Sequence, residues 1–250
     1  GDYVGGFFGC VNRRNLNDLN NMTITGATVT TKGSRASIMI GQGRGSNLTA
    51  IDSSVNGASY VAGLVGYVQY NCGDNNKVEH CNITGTGNYV GGLYGYASTN
   101  ASTTCSTHNI SRSEIKGNGN YVGGIIGQMS SYILLRYSYV DNCKIEGNNY
   151  VGGVAGQFVA SSNNSQYMYV TNSEISGRTN YIGGIVGNAG GDMYGGNTII
   201  NCYYAADPNA YSFGGIVGNS DGYCQVTNCV TTLASLGNNL GNHQISTDYN

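Results

Sequence analysis

The sequence predicts an all-β chain, a right-handed parallel β-helix (β-solenoid) of about eight coils. Three observations predict it. A seven-residue string recurs along the whole chain, and a second, strand-like string recurs between its copies. The composition supplies corners rather than helices: 41 Gly and 33 Asn stand among 250 residues, with one Pro.

The first string reads Tyr-Val-Gly-Gly-apolar-apolar-Gly. It begins at Tyr3, Tyr60, Tyr89, Tyr121, Tyr150 and Tyr181, with a variant at Ser212 and a worn copy, RASIMIG, at Arg35. Successive starts lie 32, 25, 29, 32, 29, 31 and 31 residues apart. Helical repeats of similar length need apolar spacings of three and four over several turns, and no window shows them. A propeller blade needs roughly 40 residues. The doubled Gly fits a backbone that neighbouring coils approach closely.

The second string reads VEHCNITG from Val78, ISRSEIKG from Ile110, VDNCKIEG from Val140 and VTNSEISG from Val170. Weaker forms start at Ile200 and Val226. Its pattern fits a strand with one buried face, so Val140, Ile145, Val170 and Ile175 are expected inside. Glu114, Lys144 and Glu174 share one outward position, and Lys116 and Glu146 share the next. Gly and polar residues then form a turn before the next Tyr. Each repeat is one coil, stacked about 4.8 Å from the next, and residues 1–250 form a single solenoid domain.

These YVGG strings resemble the GLUG motif repeats of bacterial surface proteins, which include adhesins and the non-catalytic regions of immunoglobulin A-cleaving metallopeptidases. The resemblance spans nearly the whole chain. It implies an extracellular β-solenoid with a structural or adhesive role, and it carries no catalytic residue to transfer.

Charge and composition narrow the partners. The net charge is −2, and only 11 residues are Lys or Arg, too few for the clustered cations that bind nucleic acid. Gly interrupts every apolar run, so no segment inserts in a membrane. With 21 Tyr and little net charge, the chain is not of the disordered class. The partners expected are copies of the chain stacked head to tail, or a host-surface or glycan ligand.

Eight Cys occur without a Cys-x-x-Cys pair, which argues against a zinc ribbon. Cys81, Cys143, Cys202 and Cys229 occupy one repeat position, where Ser113 and Ser173 stand in other copies. One reading is a ladder of small inward side chains. The other is disulfide formation between consecutive coils, with Cys202 and Cys229 or Cys72 and Cys105 as candidates. Six sequons, at Asn21, Asn47, Asn82, Asn100, Asn109 and Asn163, make the chain a candidate glycoprotein. Asn82 aligns with Glu114, and Asn109 with Tyr139, so both are expected to face solvent. The chain opens at Gly1 inside a repeat, without an initiator Met or a preceding signal peptide. It is read as processed, excised or incomplete.

Tyr60, Tyr89, Tyr121, Tyr150 and Tyr181 recur once per coil and are expected to stack. The row is either architectural or, if it faces outward, a strip for sugar rings. No enzymatic activity is expected. Glycoside chemistry needs two or three converging carboxylates, and the 13 acids do not cluster. His80, His108 and His243 are scattered, without a triad pattern. Asp192, Asp207 and Asp221 lack the regular spacing of calcium-binding β-rolls, so no metal or cofactor is expected. The reading is an extracellular or cell-surface structural solenoid that builds a fibre or filament. An adhesin or carbohydrate-binding stalk is the alternative, and a polysaccharide-degrading β-helix enzyme is less favoured.

Overall fold

The computed structural model describes residues 1–11, 19–98, 103–130, 133–159, 165–190, 198–200, 203–206, 212–220, 226–227, 230–231 and 245–246. Every assigned element among them is a strand or turn, and none is a helix. The first turn supplies β1 (Val4–Gly5), β2 (Phe8–Cys10), β3 (Asn20–Thr25) and β4 (Thr28–Thr30). Each opens a parallel sheet that later turns extend one strand at a time. The first three sheets reach eight strands and the fourth reaches seven.

The repeat register is the one read from the strings. In the first sheet Val61, Val90, Val122, Val151 and Ile182 are successive partners. In the third sheet the partners are Val78, Ile110, Val140 and Val170; in the fourth they are Val55, Ile83, Ile115, Ile145 and Ile175. All these side chains are buried, and they form one core along the rod axis. Val140, Ile145, Val170 and Ile175 lie inside as expected.

The coil count differs slightly from the eight expected. Six turns, from Val4 to Gly177, carry all four strands with their side chains described. Beyond them the pairing continues through Ile182–Gly183 and Phe213–Gly214 in the first sheet and Thr198–Ile200 in the third. Val226–Thr227 pairs with Ile245–Ser246 in a separate two-stranded sheet.

The connections explain why the period drifts. From the first sheet to the second, two residues intervene in every turn, as in Gly91 to Tyr94 and Gly123 to Ile126. From the third sheet to the fourth the number is again two, as in Glu79 to Asn82 and Asp141 to Lys144. The link from second to third sheet varies freely: it holds residues 44–45 in the shortest turn and residues 11–19 in the first. The 25-residue spacing after Arg35 arises largely there.

Glycine is required by close approach rather than by a turn at the doubled Gly. A Cβ on Gly124 would overlap the carbonyl oxygen of Gly153 in the next turn, and one on Gly127 would meet the Gly95 oxygen at 2.6 Å. The rungs touch through bare backbone at these points, so no larger residue fits.

Three left-handed corners recur in each of the five turns from Arg35 to Asn172, and none of them is a glycine. Tyr60, Tyr89, Tyr121, Tyr150 and Tyr181 hold φ between 54° and 66°, with Arg35 at 52° in the worn copy. Asp52, His80, Arg112, Asn142 and Asn172 form a second row at 49–55°. Asn21, Asn47, Asn75, Thr107, Tyr137 and Tyr167 form the third. A left-handed non-glycine residue costs roughly 1–2 kcal/mol, so each row needs a compensating contact.

Candidate functional site

For the tyrosine corner the compensation is stacking. Ring centroids are 4.7 Å apart for Tyr60–Tyr89, 5.1 Å for Tyr89–Tyr121, 4.8 Å for Tyr121–Tyr150 and 4.8 Å for Tyr150–Tyr181. Interplanar angles do not exceed 28°. A stacked pair contributes about 0.5–1.5 kcal/mol, so an interior tyrosine with two neighbours offsets its backbone cost. The Arg35 guanidinium takes the tyrosine's place one rung earlier, 4.7 Å from the Tyr3 centroid and 5.7 Å from that of Tyr60. The five rings are half-buried and their faces lie against one another. A sugar ring stacks on a free face, and in this row the interior faces are occupied.

Beside the ladder runs a row from the second sheet: Gln42, Tyr67, Tyr96, Gln128, Gln157, Asn188 and Asn219 are successive partners. Tyr67 and Tyr96 stack at 5.2 Å. Gln128 Nε2 donates to Gln157 Oε1 at 2.6 Å, and Asn219 Nδ2 donates to Asn188 Oδ1 at 3.0 Å. Each amide is both donor and acceptor, so such a row links rung to rung without an unmatched end inside it.

Outward on the fourth sheet, Asn82, Glu114, Lys144 and Glu174 are in register. Glu114 and Lys144 are exposed as expected, whereas Glu174 is half-buried. In the adjacent row Lys116 Nζ reaches Glu146 Oε2 at 3.1 Å, and Arg178 Nη2 reaches Glu146 Oε1 at 2.7 Å. The hydrogen bond from Arg178 does most to hold the Glu146 carboxyl below its usual range; partial burial opposes it and Lys116 assists.

The cysteine position resolves into the small inward ladder. Ser53, Cys81, Ser113, Cys143 and Ser173 are all buried. Ser113 Oγ accepts from the Cys81 N–H at 3.0 Å, and Ser173 Oγ accepts from the Cys143 N–H at 3.0 Å. Burial pushes the Cys81 thiol up to about 11 and the Cys143 thiol up to about 12. Cys72 and Cys105 do meet, both buried and both free thiols, with the Cys72 N–H donating to Cys105 Sγ at 3.3 Å. Cys202 and Cys229 lie outside the described residues.

Around Cys72 and Cys105 is a polar cluster inside the rod that the sequence reading missed. Asn76 Nδ2 donates to Tyr94 Oη at 2.5 Å and to the carbonyls of Gly45 at 2.9 Å and Cys72 at 3.2 Å. Tyr94 Oη lies 3.4 Å from His108 Nδ1. His108 is fully buried, and desolvation lowers its pKa to about 3, so the ring is neutral. Its Nε2 and the Oγ of Ser138, its partner in the next rung, both lack a protein hydrogen bond. The legible signal was Tyr94 itself, a phenol at an apolar position of YVGGLYG.

The third sheet's outer face carries an open groove of about 690 Å³. Its central row, Lys77, Asn109, Tyr139 and Tyr169, is in register across four turns. The next row outward is Glu79, Ser111, Asp141 and Thr171. Glu79 pairs with Arg112 and, at 2.5 Å, with Lys77. Asp141 Oδ1 accepts from Thr171 Oγ1 at 2.6 Å and from Asn172 Nδ2 at 2.9 Å. Tyr139 and Tyr169 stack at 4.9 Å and 6°, beside the stacked pair Tyr137–Tyr167.

Of the sequons, Asn21, Asn47, Asn82 and Asn109 are exposed. Asn100 and Asn163 lie outside the described residues, as do Asp192, Asp207, Asp221 and His243. His80 is far from the buried cluster in environment: it is exposed and pairs with Asp52 at 2.7 Å. Among the described residues no group of three or more His, Cys, Asp or Glu side chains could hold a metal ion, and no helix is long and apolar enough to cross a membrane. No family model matches the chain, and no significant match appears among curated proteins or solved structures.

Proposed function

We propose that the chain is a structural rod of an extracellular or cell-surface assembly, lengthened by adding rung upon rung. One observation carries this reading: over six turns the same four parallel sheets recur, with the same buried rows and the same stacked tyrosine corner, so each rung is built to receive another of the same geometry. A rung of parallel strands is a template for the next. Contact between unlike edges of two such rods is heterologous and propagates as a filament.

The surface chemistry supports a rod rather than a hydrolase. Glu79 and Glu146 each bridge two cations, Asp52 pairs with His80, and Asp74 Oδ1 accepts from the Ser106 N–H at 2.8 Å. These acids link one rung to another instead of converging on a bond to be cleaved. Negative-stain electron microscopy of the purified chain at high concentration tests the proposal. Unbranched fibres are the expected result, and monodisperse single rods would rule it out.

A further inference from the structure

We propose that the groove on the third sheet binds a neutral saccharide, with the Tyr139 ring as its stacking platform. Tyr139 is 40% exposed. One face of its ring lies on Tyr169, while the in-register neighbour on the other side is the short Asn109. That leaves the outer part of one aromatic face uncovered, unlike the interior rings of the Tyr60–Tyr181 ladder. Around it converge an amide on Asn109, the guanidinium of Arg112, the ammonium of Lys77, the carboxylate of Asp141 and the amide of Asn142. An aromatic face beside planar hydrogen-bonding groups suits a sugar ring, whose C–H face is apolar and whose edge carries hydroxyls.

Charge selects the kind of sugar. Lys77 and Arg112 already share Glu79, and Asp141 adds a second carboxylate. Two cations face two anions, so the groove offers a phosphate or sulfate no net attraction. The volume of about 690 Å³ lies within the usual span of small-ligand sites, roughly 300–1,000 Å³. The groove covers three rung intervals, about 14 Å at the spacing of paired strands, which favours an oligosaccharide lying along the rod. The inference is independent of filament growth, because every residue in it belongs to the side of the rod.

The test is binding of the purified chain to an array of neutral oligosaccharides, with sulfated ones alongside, followed by calorimetry on the best neutral binder. Tyr139→Ala is expected to weaken binding about tenfold or more, and Tyr139→Phe to keep it within about threefold, since the phenyl face remains. Circular dichroism of both variants establishes that the solenoid persists, and Asn109→Ala gives a second, non-aromatic probe with expected weakening. Absence of neutral binding, binding restricted to sulfated chains, or affinity unchanged in both Tyr139→Ala and Asn109→Ala would overturn the proposal. So would an intact mass showing Asn109 itself glycosylated, because the covalent sugar would then fill the groove.

Discussion

The guanidinium of Arg35 lies 4.7 Å from the centroid of the Tyr3 ring, in the place that the next five turns give to a tyrosine. Both residue types present a flat face to the rung on either side, so the stack passes through the worn repeat without a break. Arg35 also lies 5.1 Å from the Tyr67 centroid, which ties the corner to the adjacent row.

Replacing this link should separate stacking from charge. Arg35→Tyr is expected to leave the thermal midpoint unchanged or raise it, because it completes a ring ladder. Arg35→Ala should cost about 1–2 kcal/mol, the range for a partly desolvated cation over a ring. Parallel thermal melts of the two variants check this. A loss in Arg35→Tyr as large as that in Arg35→Ala would contradict it.

The left-handed tyrosines make an unusual prediction about glycine. Tyr121 stacks on both Tyr89 and Tyr150 and holds φ at 64°. Tyr121→Ala loses both stacks and keeps the backbone cost, so it should destabilise by about 1–3 kcal/mol. Tyr121→Gly loses the same stacks but relieves the backbone, and it should be the more stable of the two by about 1 kcal/mol. Denaturant titration of the pair measures the difference, and the reverse order would refute a left-handed corner at Tyr121.

His108 gives the stability a pH dependence of known sign. Its folded pKa is lowered to about 3 by burial, against an unfolded value near 6.5. The unfolded chain therefore binds the extra proton as the pH falls below about 6.5, and stability declines from there toward pH 3. Met168 occupies the same inward row two rungs on, so His108→Met is a replacement of proven shape. It should flatten the decline between pH 6.5 and 4 in chemical denaturation. An unchanged slope would show that the ring is hydrated or charged in the fold.

The thiols should divide by depth. Cys10 is exposed, whereas Cys72, Cys81, Cys105 and Cys143 are buried. Burial raises Cys81 and Cys143 to about 11 and about 12. The Cys105 hydrogen bond, with burial behind it, raises Cys72. At pH 8 a soluble alkylating reagent should label Cys10 in the native chain and the other four only after denaturation, as read by peptide mapping. Rapid native labelling of Cys81 or Cys143 would contradict the inward ladder.

The period and the inside-outside pattern were legible because both are carried by residue type at fixed offsets. Val140 and Ile145 against Lys144 and Glu146 already define two faces. The left-handed corners were half legible. Asn21, Asn47, Asp52, Asn75, Asn142 and Asn172 are of the types that tolerate this conformation, and Gly26 takes it at φ 69°, but the Tyr, Arg and Thr of the same rows carry no such sign. The buried cluster was hidden for a different reason: Asn76, Tyr94 and His108 sit at unrelated offsets, and only winding the chain brings them together. The saccharide groove was half legible. The alignment of Asn109 with Tyr139 placed both outside, but the availability of a ring face depends on what stands in the neighbouring rung.

The unequal connections make the rod a scaffold with one permissive edge. A residue inserted between the first and second sheets, or between the third and fourth, would reverse which side chains point inward for the strand that follows. Those joints hold the phase of the whole winding. The link from second to third sheet already ranges from residues 44–45 to residues 11–19 without disturbing the sheets on either side. Foreign peptides grafted at this edge would therefore be displayed in a line, one per rung. Each would be carried about 4.8 Å from the last by a backbone that does not register their presence.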